Sequence, residues 1–249
     1  MRTLRRVAVV GASFAAFIGV WALVVWIGDY PEYILPSPQA VAQRGAEAIA
    51  NGTLQPHAAT TLVESLIGFA VGATVAIGVG ILLGKSHLAE RVLSPYLVAA
   101  QAVPILALAP LIAIWFGGGL QSRVVICALI IFFPIVIATM VGIRSADPQL
   151  VEMLRAAGAS PRQVTTLVEI PSALPVLFGG LRVGVTLAVI GAVVAECAGC
   201  SVGLGILINI ANQGLFDTPL MFVALATLAL MGLALYGGVL LVERAVVHR

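Results

Sequence analysis

The sequence contains very little charge. Asp, Glu, Lys and Arg together make up 10% of the 249 residues, whereas a soluble domain usually carries about 25%. Hydrophobic residues account for 61%, so much of the molecular surface must face lipid rather than water. The formal net charge of +2 is too small to indicate a nucleic-acid-binding protein. Length and composition predict one compact membrane domain covering residues 1–249.

Cysteine and histidine are also scarce, with three residues of each. Three cysteines cannot form a disulfide framework, and a zinc site needs more ligands than the sequence places together. Cys197 and Cys200 have the Cys-x-x-Cys spacing. This spacing leaves two interpretations open, namely small packing residues or a disulfide outside the membrane. We therefore expect no metal and no organic cofactor.

Motifs for enzymatic chemistry are missing as well. Gly84-Lys85-Ser86 resembles the end of a phosphate-binding loop, but Val79 occupies the position where that motif requires glycine. The sequence has no HExxH metalloprotease pattern and no GxSxG hydrolase pattern. We predict that the chain is not an enzyme and that any ATP hydrolysis takes place in a separate partner.

Long apolar stretches are plentiful. A membrane helix needs about 20 mostly apolar residues, and six stretches meet or approach that length. They cover residues 7–27, 66–83, 96–116, 124–143, 177–195 and 219–242. The sequence thus predicts an all-α, polytopic membrane protein with six transmembrane helices. Pro104, Pro110 and Pro134 are expected to kink the third and fourth helices.

Positive charge is distributed unevenly between the two sides of these spans. If the N-terminus is inside, only Arg44 and Arg123 lie in outer segments. The cytoplasmic segments then carry Arg2, Arg5, Arg6, Lys85, Arg91, Arg144, Arg155, Arg162, Arg244 and Arg249. By the positive-inside rule, both termini are predicted to be cytoplasmic and the protein to reside in the cell (inner) membrane.

Local patterns predict structure in and around the spans. Ser37 and Pro38 form a helix N-cap and first helical position, so a surface helix is expected over residues 39–50. Small residues recur every four positions on the second and fifth spans, which predicts close helix packing. They are Gly68, Gly72, Ala76, Gly80 and Gly84, and Gly180, Gly184, Ala188 and Ala192.

Two polar side chains at membrane depth are candidates for function, because such groups usually face a cavity or a partner. Gln101 lies in the third predicted span and Glu196 at the outer end of the fifth. Either side chain could line a translocation pathway. For Glu196, an interfacial carboxylate that meets water is an equally open interpretation.

Residues 144–175 form a cytoplasmic segment with two short amphipathic helix patterns. Asp147-Pro148 begins the first helix, and Gly158 ends it in a left-handed turn. Ser160 begins the second helix in a capping box, and Pro171 is expected to stop it. The segment is either a linker on the lipid headgroups or a helical elbow that fits a partner's groove.

This loop resembles the signature loop of ABC importer permeases. That signature is Glu-Ala-Ala, three residues, Gly, nine residues, Ile, one residue and Leu-Pro. Glu152, Gly158 and Pro171 match it in register. Met153 and Leu154 stand in place of the two alanines, and Val168 and Ile170 are conservative replacements. Further stretches extend the likeness to the nitrate, sulfonate and taurine branch over nearly the whole chain, namely Leu35–Pro38, Ala109–Gly117, Ala195-Glu196, Gly203–Gly205, Asp217–Pro219 and Leu241–Arg244.

The resemblance implies a fold, a site and partners. The fold is that of a type I ABC importer permease. In this family the loop docks into a groove on a cytosolic ATPase, so the implied ATPase-coupling residues are Glu152, Met153, Leu154, Gly158, Val168, Ile170 and Pro171. The implied partners are an ABC ATPase dimer, a second permease copy in a homodimer, a periplasmic or extracellular solute-binding protein and membrane lipids.

The resemblance also implies a solute class, imported by alternating access. A sulfonate such as taurine is expected first, with nitrate, bicarbonate and pyrimidine-type precursors open. The rival interpretation is an ion-coupled secondary transporter, which would need buried ion ligands and broken helices.

Overall fold

The computed structural model describes residues 2–199, 201–214 and 216–247, and within these ranges every regular element is helical. Eleven α-helices are described, with π-helical turns at Thr165–Glu169 and Ile210–Gly214. The helices are α1 (Arg2–Gly28), α2 (Pro38–Ala50), α3 (Leu54–Lys85), α4 (His87–Gln101), α5 (Ile105–Phe116), α6 (Leu120–Arg144), α7 (Pro148–Ala156), α8 (Pro161–Val164), α9 (Ile170–Cys197), α10 (Leu204–Asn209) and α11 (Thr218–Val247). The all-α prediction is confirmed.

The centre of the bundle is formed by α3 and α6, which run parallel to each other. A Cβ atom added at Gly68 would lie 2.3 Å from Cβ of Cys127, and one at Gly80 would lie 2.4 Å from Cβ of Thr139. Residue numbers therefore rise together along the two helices. Side chains larger than hydrogen have no room at these contacts, so the glycines permit the close backbone approach that holds membrane helices together.

Helix α9 packs antiparallel against α6 by the same means. A Cβ atom added at Gly180 would meet Cβ of Ala138 at 2.3 Å, and one at Gly191 would lie 2.9 Å from Cα of Cys127. The packing predicted from the small residues of the second and fifth spans is confirmed. Buried aliphatic side chains such as Ile131 and Ile135 fill the space between the glycines.

The third predicted span is a broken one. Helices α4 and α5 meet at a bend of 94° across residues 102–104, and Pro104 is the N-cap of α5. Because α3 and α6 are parallel, the chain between them must return from one end of the bundle to the other. The broken pair therefore completes the six predicted crossings. Helices α5 and α6 continue through Pro110 and Pro134.

Helix boundaries differ most clearly from the predictions at two places. The second span begins at Leu54 instead of residue 66. The prediction that Pro171 stops a helix is wrong, because the backbone is helical without a break from Pro161 to Cys197. The π-helical turn explains this, since the amide of Ile170 bonds to the carbonyl of Thr165, five residues earlier. This wider turn accommodates a proline, which has no amide hydrogen to donate.

The bundle has two ends that carry different features. The loop end comprises the end of α3, the end of α6 and residues 144–169, and the opposite end comprises α2, α10 and the start of α11. Helix α2 begins as predicted, with the Ser37 hydroxyl accepting from the amide of Ala40. Helix α1 is attached near the opposite end, where the Trp21 ring stacks on Phe222 at 5.5 Å.

The glycine contacts predict a difference between two neighbouring substitutions in α3. Gly80→Val must displace Thr139 and the carbonyl of Val136, and overpacking of this kind costs about 1–3 kcal/mol. Gly78→Val is the matched control, since no atom lies within 4 Å of the added Cβ. We expect a clear drop in the thermal unfolding midpoint of the purified protein for the first variant alone. Equal drops for both would show that close approach to α6 is not what α3 requires.

Candidate functional site

The loop end carries a helical elbow formed by α7, a tight turn and α8. The Asp147 side chain accepts from the amide of Gln149 at the start of α7, and Ser160 forms a capping box with Gln163 at the start of α8. Gly158 lies between the helices with φ of 81° and no atom within 4 Å of an added Cβ. Only its backbone conformation therefore requires glycine, and the predicted left-handed turn is confirmed.

One face of this elbow is apolar and exposed. Met153 of α7 is 60% exposed and Leu167 of the π-helical turn is 63% exposed, with Leu150 nearby in α7 at 44%. Val164 instead faces the bundle at 2% exposure. Exposed apolar side chains beside charged ones are typical of a surface that binds another protein.

The implied coupling residues are distributed over this surface. Gly158 and the side chains of Glu152, Met153, Ile170 and Pro171 are exposed. Leu154 and Val168 are half-buried. The structure thus places the first three residues and Gly158 on the elbow itself, and the last three where the π-helical turn enters α9.

Ion pairs fasten the elbow to the bundle. Lys85 at the end of α3 pairs with Glu169 at 3.4 Å and also donates to the hydroxyl of Thr165. Arg144 at the end of α6 pairs with Glu90 at 2.6 Å and donates to the carbonyl of Leu83. Lys85 thus ties the end of α3 to the residues after α8, and Arg144 ties the end of α6 to α3 and α4, so both ends of the elbow are anchored to the bundle.

These ion pairs border a cleft of about 530 Å³, which Glu152 and Arg155 also line. The pairing was not predicted from the sequence. The sequence places Lys85 in an incomplete phosphate-binding motif and among the cytoplasmic cations, and its helix-terminal position next to a cytoplasmic loop is the signal for such a pair.

Glu196 lies inside the protein, although it was predicted at the outer end of a span. Its side chain has 0% exposure, so it does not meet water at an interface. One carboxylate oxygen accepts from the hydroxyl of Thr61 at 2.5 Å, and the other accepts from the amide of Gly205 at 2.6 Å. Glu196 therefore joins α3 and α9 to the start of α10.

The turn that leads into α10 is built around this carboxylate. Gly203 has φ of 146°, and an added Cβ would lie 2.2 Å from Cδ of Glu196. His57 Nδ1 lies 3.0 Å from the amide of Gly203, and Thr61 accepts from the amide of Leu204 at 2.9 Å. Side chains of α3 and α9 thus satisfy the successive amides of Leu204 and Gly205, while His57 Nδ1 also lies 2.7 Å from the carbonyl of Gly203. These contacts fix where α10 enters the bundle.

A second buried polar contact joins α3 to α6. Glu64, 1% exposed, forms an ion pair with Arg123, whose side chain is 17% exposed. Arg123 was assigned to an outer segment from the sequence, but the structure turns it into the bundle. A carboxylate and a guanidinium at this depth compensate each other, which lowers the cost of removing each from water.

Gln101 and Glu196 occupy different surroundings. Gln101 is exposed at the last residue of α4, directly before the 94° break. Glu196 is enclosed by α3, α9 and α10. Cys200, the partner of Cys197 in the predicted Cys-x-x-Cys pair, lies outside the described residues. Within the described ranges, no three His, Cys, Asp or Glu side chains are grouped so as to hold a metal ion.

Two proteins of known sequence and one solved structure are similar to this chain. The riboflavin transport system permease protein RibX of Chloroflexus aurantiacus is 50% identical over 92% of this chain and 85% of its own length. The putative aliphatic sulfonates transport permease protein SsuC of Bacillus subtilis is 34% identical over 92% and 83%. A chain of the inward-facing MetNI methionine ABC transporter superposes with a TM-score of 0.66 at 21% identity, over 76% and 94%.

The family model described as binding-protein-dependent transport system inner membrane component matches residues 76–248. The matched range includes the elbow, the ion-paired residues Lys85 and Arg144, Glu196 and α10. The chain therefore belongs to the binding-protein-dependent transport system inner membrane components and is a permease subunit of an ABC importer.

Proposed function

We propose that this permease moves a small solute into the cytoplasm by alternating access, driven by ATPase subunits that dock on the elbow. The observation that carries the proposal is the exposed apolar surface of Leu150, Met153 and Leu167, next to the Lys85–Glu169 pair that ties the residues after α8 to the bundle. A helical projection of this kind fits a groove on a partner. ATP hydrolysis belongs to that partner.

The assembly contains a second permease copy. Six crossings are about half of what such importers use, so two copies related by a two-fold axis complete the translocation pathway. Family membership implies the ATPase and the solute-binding protein as further partners. Lipids surround the apolar outer face of the bundle.

The loop end faces the cytoplasm in this proposal. The excess of Lys and Arg on that side supports the orientation, and so does the need for a cytosolic ATPase to reach the elbow. The opposite end, with α2 and α10, then faces the solute-binding protein.

Within the pathway, Gln101 and Glu196 have different roles. Gln101 is exposed at the break of the third span, where a polar side chain can contact a passing solute. Glu196 is enclosed, so it acts through α10, whose start it holds. The buried carboxylates do not favour ion coupling of the secondary-transporter type, because Glu64 pairs with Arg123 and both Glu196 oxygens accept hydrogen bonds.

The solute is proposed from the relatives. The sequence predicted a sulfonate, and SsuC, which is named for sulfonates, is 34% identical. RibX, which is named for riboflavin, is 50% identical over a similar span. We therefore rank a riboflavin-like heterocycle ahead of a sulfonate.

This ranking predicts the outcome of a transport assay. Cells that express the permease with its ATPase and solute-binding protein should take up labelled riboflavin in an ATP-dependent manner, and labelled taurine should enter at background level. Taurine uptake without riboflavin uptake would reverse the ranking.

A second prediction concerns orientation. In a background without native cysteines, we expect Ala46→Cys on α2 to react with a membrane-impermeant maleimide in intact cells. Ala157→Cys at the elbow should react only after permeabilisation. Both alanines are exposed, so accessibility to the reagent depends on the side of the membrane. Labelling of both from the same side would contradict the orientation.

A third prediction concerns the elbow turn. Gly158→Val forces a β-branched residue to adopt φ near 81°, at a cost on the order of 1 kcal/mol or more, and redirects α8. We expect at least a fivefold loss of ATPase co-purification and of solute-stimulated ATP hydrolysis. Gly158→Asn is the matched control, because Asn tolerates the left-handed conformation and open space surrounds the site.

Reversal of charge by Glu152→Lys should weaken the same two readouts without changing membrane insertion. If Gly158→Val and Glu152→Lys both kept wild-type values, the elbow would be a passive linker on the membrane surface.

A further inference from the structure

A groove of about 750 Å³ opens at the opposite end of the bundle, away from the elbow and from α10's buried contacts. It lies between the α1–α2 connection, α2 and the residues that precede α11. The side chains that matter for its chemistry are Glu32, Tyr33, Arg44, Glu47, Phe216 and Asp217. We call this feature the acidic groove.

The acidic groove is held in shape by contacts between its three segments. Arg44 of α2 pairs with Asp217 at 2.6 Å, and the other Asp217 oxygen accepts from the amide of Leu220 at the start of α11. The hydroxyl of Thr218 donates to the carbonyl of Tyr33 at 2.8 Å. A partner therefore meets a preformed surface and does not have to order it.

The charge of this surface is strongly one-sided. Among the described residues at the surface of the opposite end, four carboxylates, those of Asp29, Glu32, Glu47 and Asp217, face one cation, Arg44. Four negative charges against one positive charge leave three negative charges. Arg44 contacts both Asp217 at 2.6 Å and Glu47 at 3.3 Å, so two carboxylates share the one cation, and the Glu47 side chain is still 66% exposed. Glu32 is exposed as well.

Two aromatic side chains stand beside these carboxylates. Phe216 is 75% exposed and Tyr33 is 66% exposed. Aromatic residues are enriched in the centres of protein interfaces, where they contribute a large share of the binding free energy. Aromatic groups set among carboxylates that outnumber the cation suit a partner that offers apolar surface surrounded by cations.

We propose that the acidic groove is the docking surface for the solute-binding protein, and that the docking face of that protein carries lysine or arginine side chains around an apolar centre. The inference rests on the proposed function, which turns the opposite end towards the outside. A phospholipid headgroup is a poorer occupant, because three negative charges repel an anionic phosphate and a zwitterionic headgroup gains no net attraction.

The charge part of the proposal is tested with the permease–ATPase complex in nanodiscs of zwitterionic lipid. The measured quantity is the Kd for the solute-binding protein of the same transport system, at low and at physiological salt. For Glu32→Gln combined with Glu47→Gln, we expect about tenfold weaker binding, mainly through slower association, and a smaller salt dependence. Asp29→Asn is the matched control, since Asp29 lies at the same end without lining the groove, and it should stay within twofold.

The aromatic part is tested at Phe216, whose φ is 51°. Phe216→Asn removes the ring while retaining a residue that tolerates this left-handed backbone. We expect at least tenfold weaker binding, because loss of an aromatic side chain at an interface centre has a large effect. Phe216→Tyr keeps the ring and should bind within threefold of the wild type. Thermal unfolding of each variant checks that the fold is retained.

Each outcome bears on a defined claim. Wild-type affinity in the double glutamate variant and in Phe216→Asn would overturn the groove assignment and leave the proposed function standing. The groove assignment would also be overturned if the wild type retained bound phospholipid and these variants lost it while their affinity for the solute-binding protein was unchanged. If the wild-type complex neither bound the solute-binding protein nor responded to it with ATP hydrolysis, the proposed function would fail, and the groove assignment with it.

Discussion

Close backbone contact among α3, α6 and α9 is the constraint on which the rest of this structure depends. In lipid, helices gain little from hiding apolar side chains, so association depends on packing and on interhelical polar contacts. Gly68, Gly80 and Gly180 supply the packing, since each faces a neighbouring side chain at a distance that excludes a Cβ atom. This contact sets the two ends of the bundle and therefore the positions of the elbow and of α10.

Polar contacts then give the three helices one register. Glu64 with Arg123 joins α3 to α6, and Glu196 with Thr61 joins α9 to α3. A shift of one helix along another would leave these groups buried without partners, which is far more costly in lipid than in water. At the loop end, Lys85 joins α3 to the residues after α8, and Arg144 joins the end of α6 to α4. Packing alone would allow one helix to shift slightly along its neighbour, and these polar pairs prevent that shift.

Local chemistry explains which features could be predicted from the sequence. Ser37, Asp147 and Gly158 occupy helix ends, where neighbouring backbone groups determine the residue type, and each has the expected conformation. Contacts between distant segments left no such signature. The Glu64–Arg123 and Lys85–Glu169 pairs span 59 and 84 positions, and only the packing of α3 against its neighbours brings them together. Pro171 misled the prediction because a π-helical turn is not visible in a residue pattern.

The unbroken helix from Pro161 to Cys197 has a mechanical consequence. Its 37 residues extend for about 55 Å at 1.5 Å per residue, from the elbow to the carboxylate that holds α10. The elbow and the entrance turn of α10 are thus opposite tips of one rigid lever. A tilt of about 5° around one tip displaces the other by about 5 Å, given that length. Force applied at the loop end would reach the far side of the membrane along one helical segment, without passing through any loop or interface between helices.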